Sequence, residues 1–173
     1  FRQALEHLAR KAGVDLSLYE DKGSQQLAAR KKKLFKANEL AAKYYQQSML
    51  KNKTAIEYIF KKRGLNKQVV QDFRIGYAPD SGSALVNTLG KRDFTKKELA
   101  DAGLTNRYGG DMFRGRMTVP LMDAAGQVIG FTGRILQDIP NAPKYLNTPA
   151  TLLYDKSRHI FGLSQAKEAI RTK

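Results

Sequence analysis

The chain has 173 residues with no cysteine, no tryptophan and two histidines, and its 31 Lys/Arg against 16 Asp/Glu give a formal net charge of +15. The length suits one domain with a real core or one lobe of a larger protein, and the lack of cysteine excludes a disulfide framework and a zinc site of the usual Cys/His type. The charge calls for a polyanion, nucleic acid before an anionic membrane surface, and no apolar run is long enough to cross a bilayer.

Residues 2–12, with Leu5, Leu8 and Ala9 on one side and Gly13 as a stop, predict an amphipathic helix rather than a signal peptide. Because the chain opens at Phe1 without a methionine, it is expected to be cut from something longer. Asp15 to Ser24 reads as a linker. A long helix is expected from Gln25 to about Leu50, packing by one face through Leu27, Leu34, Ala37, Ala41, Tyr44, Tyr45 and Ser48. Thr54-Ala55-Ile56-Glu57 reads as a capping box whose helix buries Ile56, Ile59 and Phe60 and ends at Gly64, and Asn66 caps the next helix, through Phe73. Ile75 to Pro79 is extended, a helix follows near residues 83–91, and a second capping box, Thr95 to Glu98, opens a helix stopped by Gly103. The period then changes. After a turn at Tyr108-Gly109-Gly110-Asp111, the runs Met117 to Met122 and Gln127 to Leu136 predict a β-hairpin about Asp123-Ala124-Ala125-Gly126. Gln137 to Ala142 is loop, Tyr145-Leu146 a short strand, and Ser164 the cap of a last helix from Gln165 to Arg171. The whole reads as α+β (mixed α/β): helices first, then a small, mostly antiparallel sheet.

Charge is unevenly spread. Residues 1–63 hold 15 Lys/Arg against 6 Asp/Glu, a net of +9, whereas residues 106–158 hold 7 against 4, a net of +3. Arg30-Lys31-Lys32-Lys33 and Lys61-Lys62-Arg63 lie in helical sequence, where a solvated face is favoured over a binding patch. The cations of the strand region differ: Arg114 and Arg116 alternate with apolar neighbours, Arg134 closes a strand after Gly133, and Lys144 sits in a Pro-bounded turn. Single charges beside apolar runs are costly without a partner, so these four are expected to converge on one sheet surface facing a polyanion. The glycines of Gly130-Phe131-Thr132-Gly133 sit in a strand, which makes them a poor match to the helix-joining clamp of KH modules. There they permit a close approach, with a phosphate as the expected visitor and Arg134 as the charged arm. Tyr44, Tyr45, Tyr77 and Phe73 are candidates for base stacking, although aromatics at helical spacing are more often core.

Metal-dependent phosphoryl chemistry needs clustered carboxylates, whereas Asp111, Asp123, Asp138 and Asp155 fall in separate loops and Glu57 and Glu98 are expected to cap helices. Nucleophilic catalysis has no cysteine to use, and His159, beside Ile160 and Phe161, reads as structural.

The motifs Ile75-Gly76-Tyr77-Ala78-Pro79, Ala102-Gly103-Leu104, Asp111-Met112-Phe113-Arg114-Gly115-Arg116, Val128-Ile129-Gly130-Phe131-Thr132-Gly133-Arg134, Pro143-Lys144-Tyr145-Leu146-Asn147-Thr148-Pro149 and Tyr154-Asp155-Lys156 occur in that order. Together they make the chain resemble the bacterial replicative primases of the DnaG type over nearly its whole length. Residues 1–14 are similar to the family's connector from a zinc-binding domain, and residues 15–173 to the N-terminal lobe of its catalytic core. The resemblance implies a DNA-directed RNA polymerase, a nucleotidyltransferase that copies single-stranded DNA into short RNA primers at the replication fork in the bacterial cytoplasm. Its implied partners are the template, ribonucleoside triphosphates, the primer–template hybrid, and the replicative helicase through a C-terminal domain outside this chain. It also implies Mg²⁺ or Mn²⁺ in a TOPRIM fold beyond residue 173 and Zn²⁺ in a preceding domain, so that this stretch binds neither metal, has no catalytic residue and is inactive alone. The cations of the family's cleft map onto Arg114, Arg116, Arg134, Lys144 and Lys156, with Asn147 beside them, as a template- and triphosphate-binding surface. Met112, Thr132 and Ala150 depart from the family's usual basic residue, glycine and acidic residue. The alternative reading is a stand-alone basic module that coats nucleic acid through its helical lysines, without catalysis.

Overall fold

Helices α1 (Arg2–Ala12) and α2 (Lys22–Leu50) open the computed structural model, which describes residues 2–14 and 22–172. Of the expected linker, residues 15–21 lie outside the described residues, and Lys22 to Ser24 belong to α2, which therefore begins earlier than its apolar stripe. The chain divides into two compact units, residues 1–32 and 33–173. In the first, Ala9 is buried as expected, whereas Leu5, Leu8 and Leu27 are exposed. In the second, α2 buries Leu34, Ala37, Asn38, Ala41, Ala42, Tyr45 and Met49. These recur at steps of three and four, so this part of the helix packs by one face as its pattern requires.

Helix α3 (Lys53–Glu57) is not opened by the expected box. Asn52 is its cap, with Oδ1 accepting from the Ala55 N–H at 2.8 Å; Thr54 lies inside the first turn, and Glu57 faces Lys61 at 3.9 Å instead of capping. An asparagine two residues before the threonine supplies the same kind of acceptor and takes the role. The helix then widens into a π-helical turn, Tyr58–Lys62, closed by the Arg63 N–H on the Tyr58 carbonyl at 2.9 Å. Tyr58, Ile59 and Ala55 are buried there, and Ile56 and Phe60 only partly. Helix α4 (Lys67–Asp72) has its expected cap, Asn66.

The rest follows the predicted order: β1 (Gly76–Ala78), α5 (Ala84–Gly90), α6 (Lys96–Asp101), β2 (Arg116–Met122), β3 (Val128–Ile135), β4 (Tyr145–Asn147) and α7 (Leu163–Arg171). Both halves of the Thr95/Glu98 capping box form. Ser164 is not the cap of α7: Gly162 precedes the helix at φ 77°, and the Ser164 hydroxyl donates to the Gln165 side chain. The buried Asp111 carboxylate serves the start of α5, accepting from Leu85 N–H at 2.9 Å and Val86 N–H at 3.0 Å across 26 residues of sequence.

The four strands form an antiparallel meander in the order β1-β2-β3-β4. One face, carrying Ala78, Phe131 and Leu146, joins Leu34, Tyr45, Leu85, Leu99 and Phe113 in the main core. The other, carrying Tyr77 and Met117, packs with Tyr58, Ile59 and Val70. Strand β1 lies directly on the backbone of α2, since a Cβ on Gly76 would come within 2.5 Å of the Tyr45 carbonyl carbon. Beside that contact Tyr45 meets Phe131 edge-on at 5.3 Å, a geometry that aromatic quadrupoles favour. Arg74 completes the attachment with a two-pronged ion pair to Glu39, both bonds 2.8 Å.

Candidate nucleic-acid interface

Strand register decides where the predicted cations go. At the hairpin turn Met122 faces Val128, and if that register continued, Arg116 would face Arg134. A bulge between Leu121 and Met122 shifts the ladder by one, so Arg116 faces Ile135 and Arg134 faces Met117. Because side chains alternate, a one-residue shift sends the two arginines to opposite faces. The expectation of one common sheet surface therefore fails for Arg116. Its guanidinium is buried and donates to the carbonyls of Arg114 and Pro143, both at 2.9 Å. Burial lowers its pKa and nearby Asp80 raises it, yet an arginine stays protonated through the working range.

The phosphate expected at the strand glycines is also displaced. A Cβ on Gly133 would lie 2.8 Å from the Phe113 ring and 3.1 Å from Arg116 Cδ, and one on Gly130 would meet the Thr148 side chain at 3.0 Å. The protein's own side chains make the close approach, and the Thr148 hydroxyl accepts from the Phe131 N–H at 2.9 Å.

Arg134 stands on the other face with Thr132, Tyr145 and Asn147. Its Nε–H donates to the Tyr58 hydroxyl at 2.7 Å, an amino group donates to the Tyr145 hydroxyl, and Cζ lies 4.9 Å from the Tyr145 ring centroid. Lys62 Nζ is 5.6 Å from the centroid of Tyr58. Cations and tyrosines thus alternate as Lys62, Tyr58, Arg134 and Tyr145, with Lys144 exposed beside the last. Sequence reasoning missed Tyr58, Tyr145 and the place of Lys62. Tyr58 is 76 residues from Arg134 and gives no local signal, whereas an aromatic next to Lys144 at an edge strand was legible.

Among the described residues no carboxylate pairs with Arg134, Lys144 or Lys156. Arg114 differs, meeting Asp80 at 3.1 and 3.2 Å in an exposed pair of small energetic worth. Asn147 is exposed on β4, and Lys156 is exposed at the start of a 3₁₀ turn whose cap, Asp155, accepts from the Ser157 hydroxyl and N–H. Those bonds, the hydroxyl first, hold the Asp155 carboxyl below its usual range. No hydrogen bond or ion pair among the described residues joins Lys156 to the Arg134 array. Lys33, counted with the solvated run, pairs with Glu98 at 2.7 Å and lies 5.9 Å from the Phe94 ring centroid.

The stacking candidates named from sequence are otherwise engaged. Tyr45 and Tyr77 are buried, Tyr44 packs half-buried on the core and edge-on to Tyr45 at 5.9 Å, and Phe73 stacks on Phe161 at 5.7 Å. His159 Nε2 lies 3.1 Å from the Met122 carbonyl and its ring meets Tyr154 edge-on, as a structural histidine would. Among the described residues no group of three or more His, Asp or Glu could hold a metal ion, and no helix is long and apolar enough to cross a membrane.

Residues 44–167 match the family described as "DNA primase catalytic core, N-terminal domain". A DNA primase of Clostridium acetobutylicum is 35% identical over 169 residues, covering 96% of this chain and 28% of its own length. The Aquifex aeolicus primase, solved with its zinc-binding and RNA polymerase domains, superposes with a TM-score of 0.74 at 34% identity, covering 98% of this chain and 40% of that one. A DnaG primase catalytic domain bound to single-stranded DNA superposes with a TM-score of 0.73 at 34% identity, covering 82% of this chain and 45% of that one. The chain thus spans less than a third of the length of the curated relative and under half of each solved structure.

Proposed function

We propose, from the premise that this chain belongs to the family of the DNA primase catalytic core N-terminal domain, that it is the template- and triphosphate-holding lobe of a DNA-directed RNA polymerase making short RNA primers on single-stranded DNA at the bacterial replication fork. The observation that carries this reading is Arg134, held by two tyrosine hydroxyls and opposed by no carboxylate among the described residues. The tyrosines fix the guanidinium without neutralising it, which leaves a positioned positive charge on one face of the sheet. Such a charge stabilises negative charge that develops on a transferring triphosphate, because its orientation is set before reaction. Asn147 extends the same face along β4, and Lys144, exposed just before that strand, is assigned with Arg114 and Lys156 as a further phosphate contact. Arg116 supports it from behind by tying the Arg114 and Pro143 carbonyls together.

The described residues do not fit a divalent metal. We therefore assign Mg²⁺ or Mn²⁺ to carboxylates of a neighbouring TOPRIM fold and Zn²⁺ to a separate domain, and assign this stretch positioning alone, without primer synthesis of its own. Helicase coupling likewise belongs to another domain. The coating-module alternative gives the work to helical lysines, of which Lys33 is already paired. Titration of the chain with single-stranded oligonucleotides at several salt concentrations tests the proposal. A handful of phosphate contacts gives a log–log slope of roughly −2 to −4, at about −0.7 per contact, and Lys144→Ala is expected to reduce it by about one contact. Tight, salt-insensitive binding would contradict the proposal.

A further inference from the structure

We infer that Tyr145 is a base-stacking platform that holds one unpaired nucleobase of single-stranded nucleic acid on the outer side of its ring. The inference rests on the proposed function and adds to it a contact with a base, where that reading required only contacts with charge. Tyr145 is 55% exposed on β4, the edge strand of the sheet. A large aromatic so exposed at an edge is without the packing that normally fixes a ring, yet this one is fixed: the Arg134 guanidinium donates to its hydroxyl, with Cζ 4.9 Å from the ring centroid. Arg134 is in turn anchored to the buried Tyr58. The ring is thus braced from one side, and no other aromatic among the described residues stacks on it. Because Arg134 holds the ring at its hydroxyl end, the outer π-face is left for a nucleobase. The exposed Lys144 adjoins Tyr145 in sequence and supplies a backbone-neutralising charge next to the base site, the combination that sequence-tolerant single-strand binding uses. Of the tyrosines suspected from the sequence, Tyr45 and Tyr77 are buried and Tyr44 is half-buried, edge-on to Tyr45 and packed on the core.

The test compares oligothymidylate with an oligomer of the same length and phosphate count whose sugars carry no bases, bound to the 173-residue chain and to its Tyr145→Leu and Tyr145→Phe variants. The unaltered chain should favour the base-bearing oligomer by roughly 5- to 100-fold, the range expected for one stacked base. Tyr145→Leu, which also releases Arg134, should weaken binding of both oligomers and abolish that preference, whereas Tyr145→Phe should keep it. An equal loss for both oligomers in Tyr145→Leu would show that the ring merely holds Arg134 and would overturn the inference. So would an undiminished preference in that variant. Failure of the unaltered chain to bind either oligomer would instead overturn the proposed function, and this inference with it.

Discussion

Arg116 and Arg134 lie on adjacent strands of the same sheet, yet their surroundings have little in common. Arg116 is buried with its guanidinium on two backbone carbonyls, while Arg134 is half-exposed between two phenol oxygens. Carbonyls consume an arginine's donors and bury its charge, whereas tyrosine hydroxyls fix its direction and leave the charge facing solvent. One extra residue at the Leu121/Met122 bulge separates the two outcomes. The contrast teaches that the worth of a cation at a binding site lies in what its other partners leave available, since residue type and local motif are alike at the two positions.

The comparison is tested most severely in the complete polymerase. There Lys144→Ala, at the exposed start of the edge strand, is expected to lower saturated primer synthesis by about 10²-fold or more, the scale of losing one preorganised charge-stabilising group. Labelled ribonucleotide incorporation measures it, and a loss below about threefold would break the contrast. On the closed side the expected losses are of stability. Asp111→Ala leaves two buried N–H donors of α5 unmet and should cost about 2–4 kcal/mol in a urea titration. Arg116→Ala, which strands two carbonyls, should cost about 1–3 kcal/mol, more than Arg134→Ala does. Equal destabilisation by the two arginine variants would mean that the faces do not differ as described. Tyr58→Phe sharpens the comparison, since it removes one hydrogen bond to Arg134 and keeps the ring; synthesis should fall by about 2- to 10-fold with little change in stability.

The smallest effect is on pH dependence. The Arg74 hydrogen bonds hold the Glu39 carboxyl below its ordinary value of 4.5. A depressed carboxylate pKa adds stability that is present above the unfolded value and is lost as pH falls through the folded one. Thermal melts between about pH 5 and about pH 3 should therefore drop more steeply for the unaltered chain than for Glu39→Gln, by a small margin because the pair is part-exposed.

The sequence made some of this readable and hid the rest for identifiable reasons. Thr95 to Glu98 and Thr54 to Glu57 have the same spacing, yet only the first forms a box, because Asn52 precedes Thr54 and captures the helix start. The hairpin, its turn and the helix stops are local and were legible. The opposite faces of Arg116 and Arg134 were not, since a single bulge inverts the register and no residue pattern announces it. Asp111 serving α5 and Tyr58 holding Arg134 join residues far apart in the chain. Motif resemblance picked out Arg134 and Asn147, which the sheet places on one face, and also Lys144, which precedes β4 opposite Ile135, and Lys156, which no hydrogen bond or ion pair among the described residues links to them.

The central claim is that positioned cations on the open sheet face, rather than the many lysines of the helices, serve the reaction. Its most direct test is the saturated rate of primer synthesis by the complete polymerase carrying Arg134→Ala, set against Lys31→Ala/Lys32→Ala, with circular dichroism as the check on folding. Arg134→Ala should reduce the rate by about 10²-fold or more. The double helical variant, whose side chains are exposed, should lose template affinity and keep its rate, because charges surrounded by solvent are screened. A double helical variant as inactive as Arg134→Ala would contradict the account.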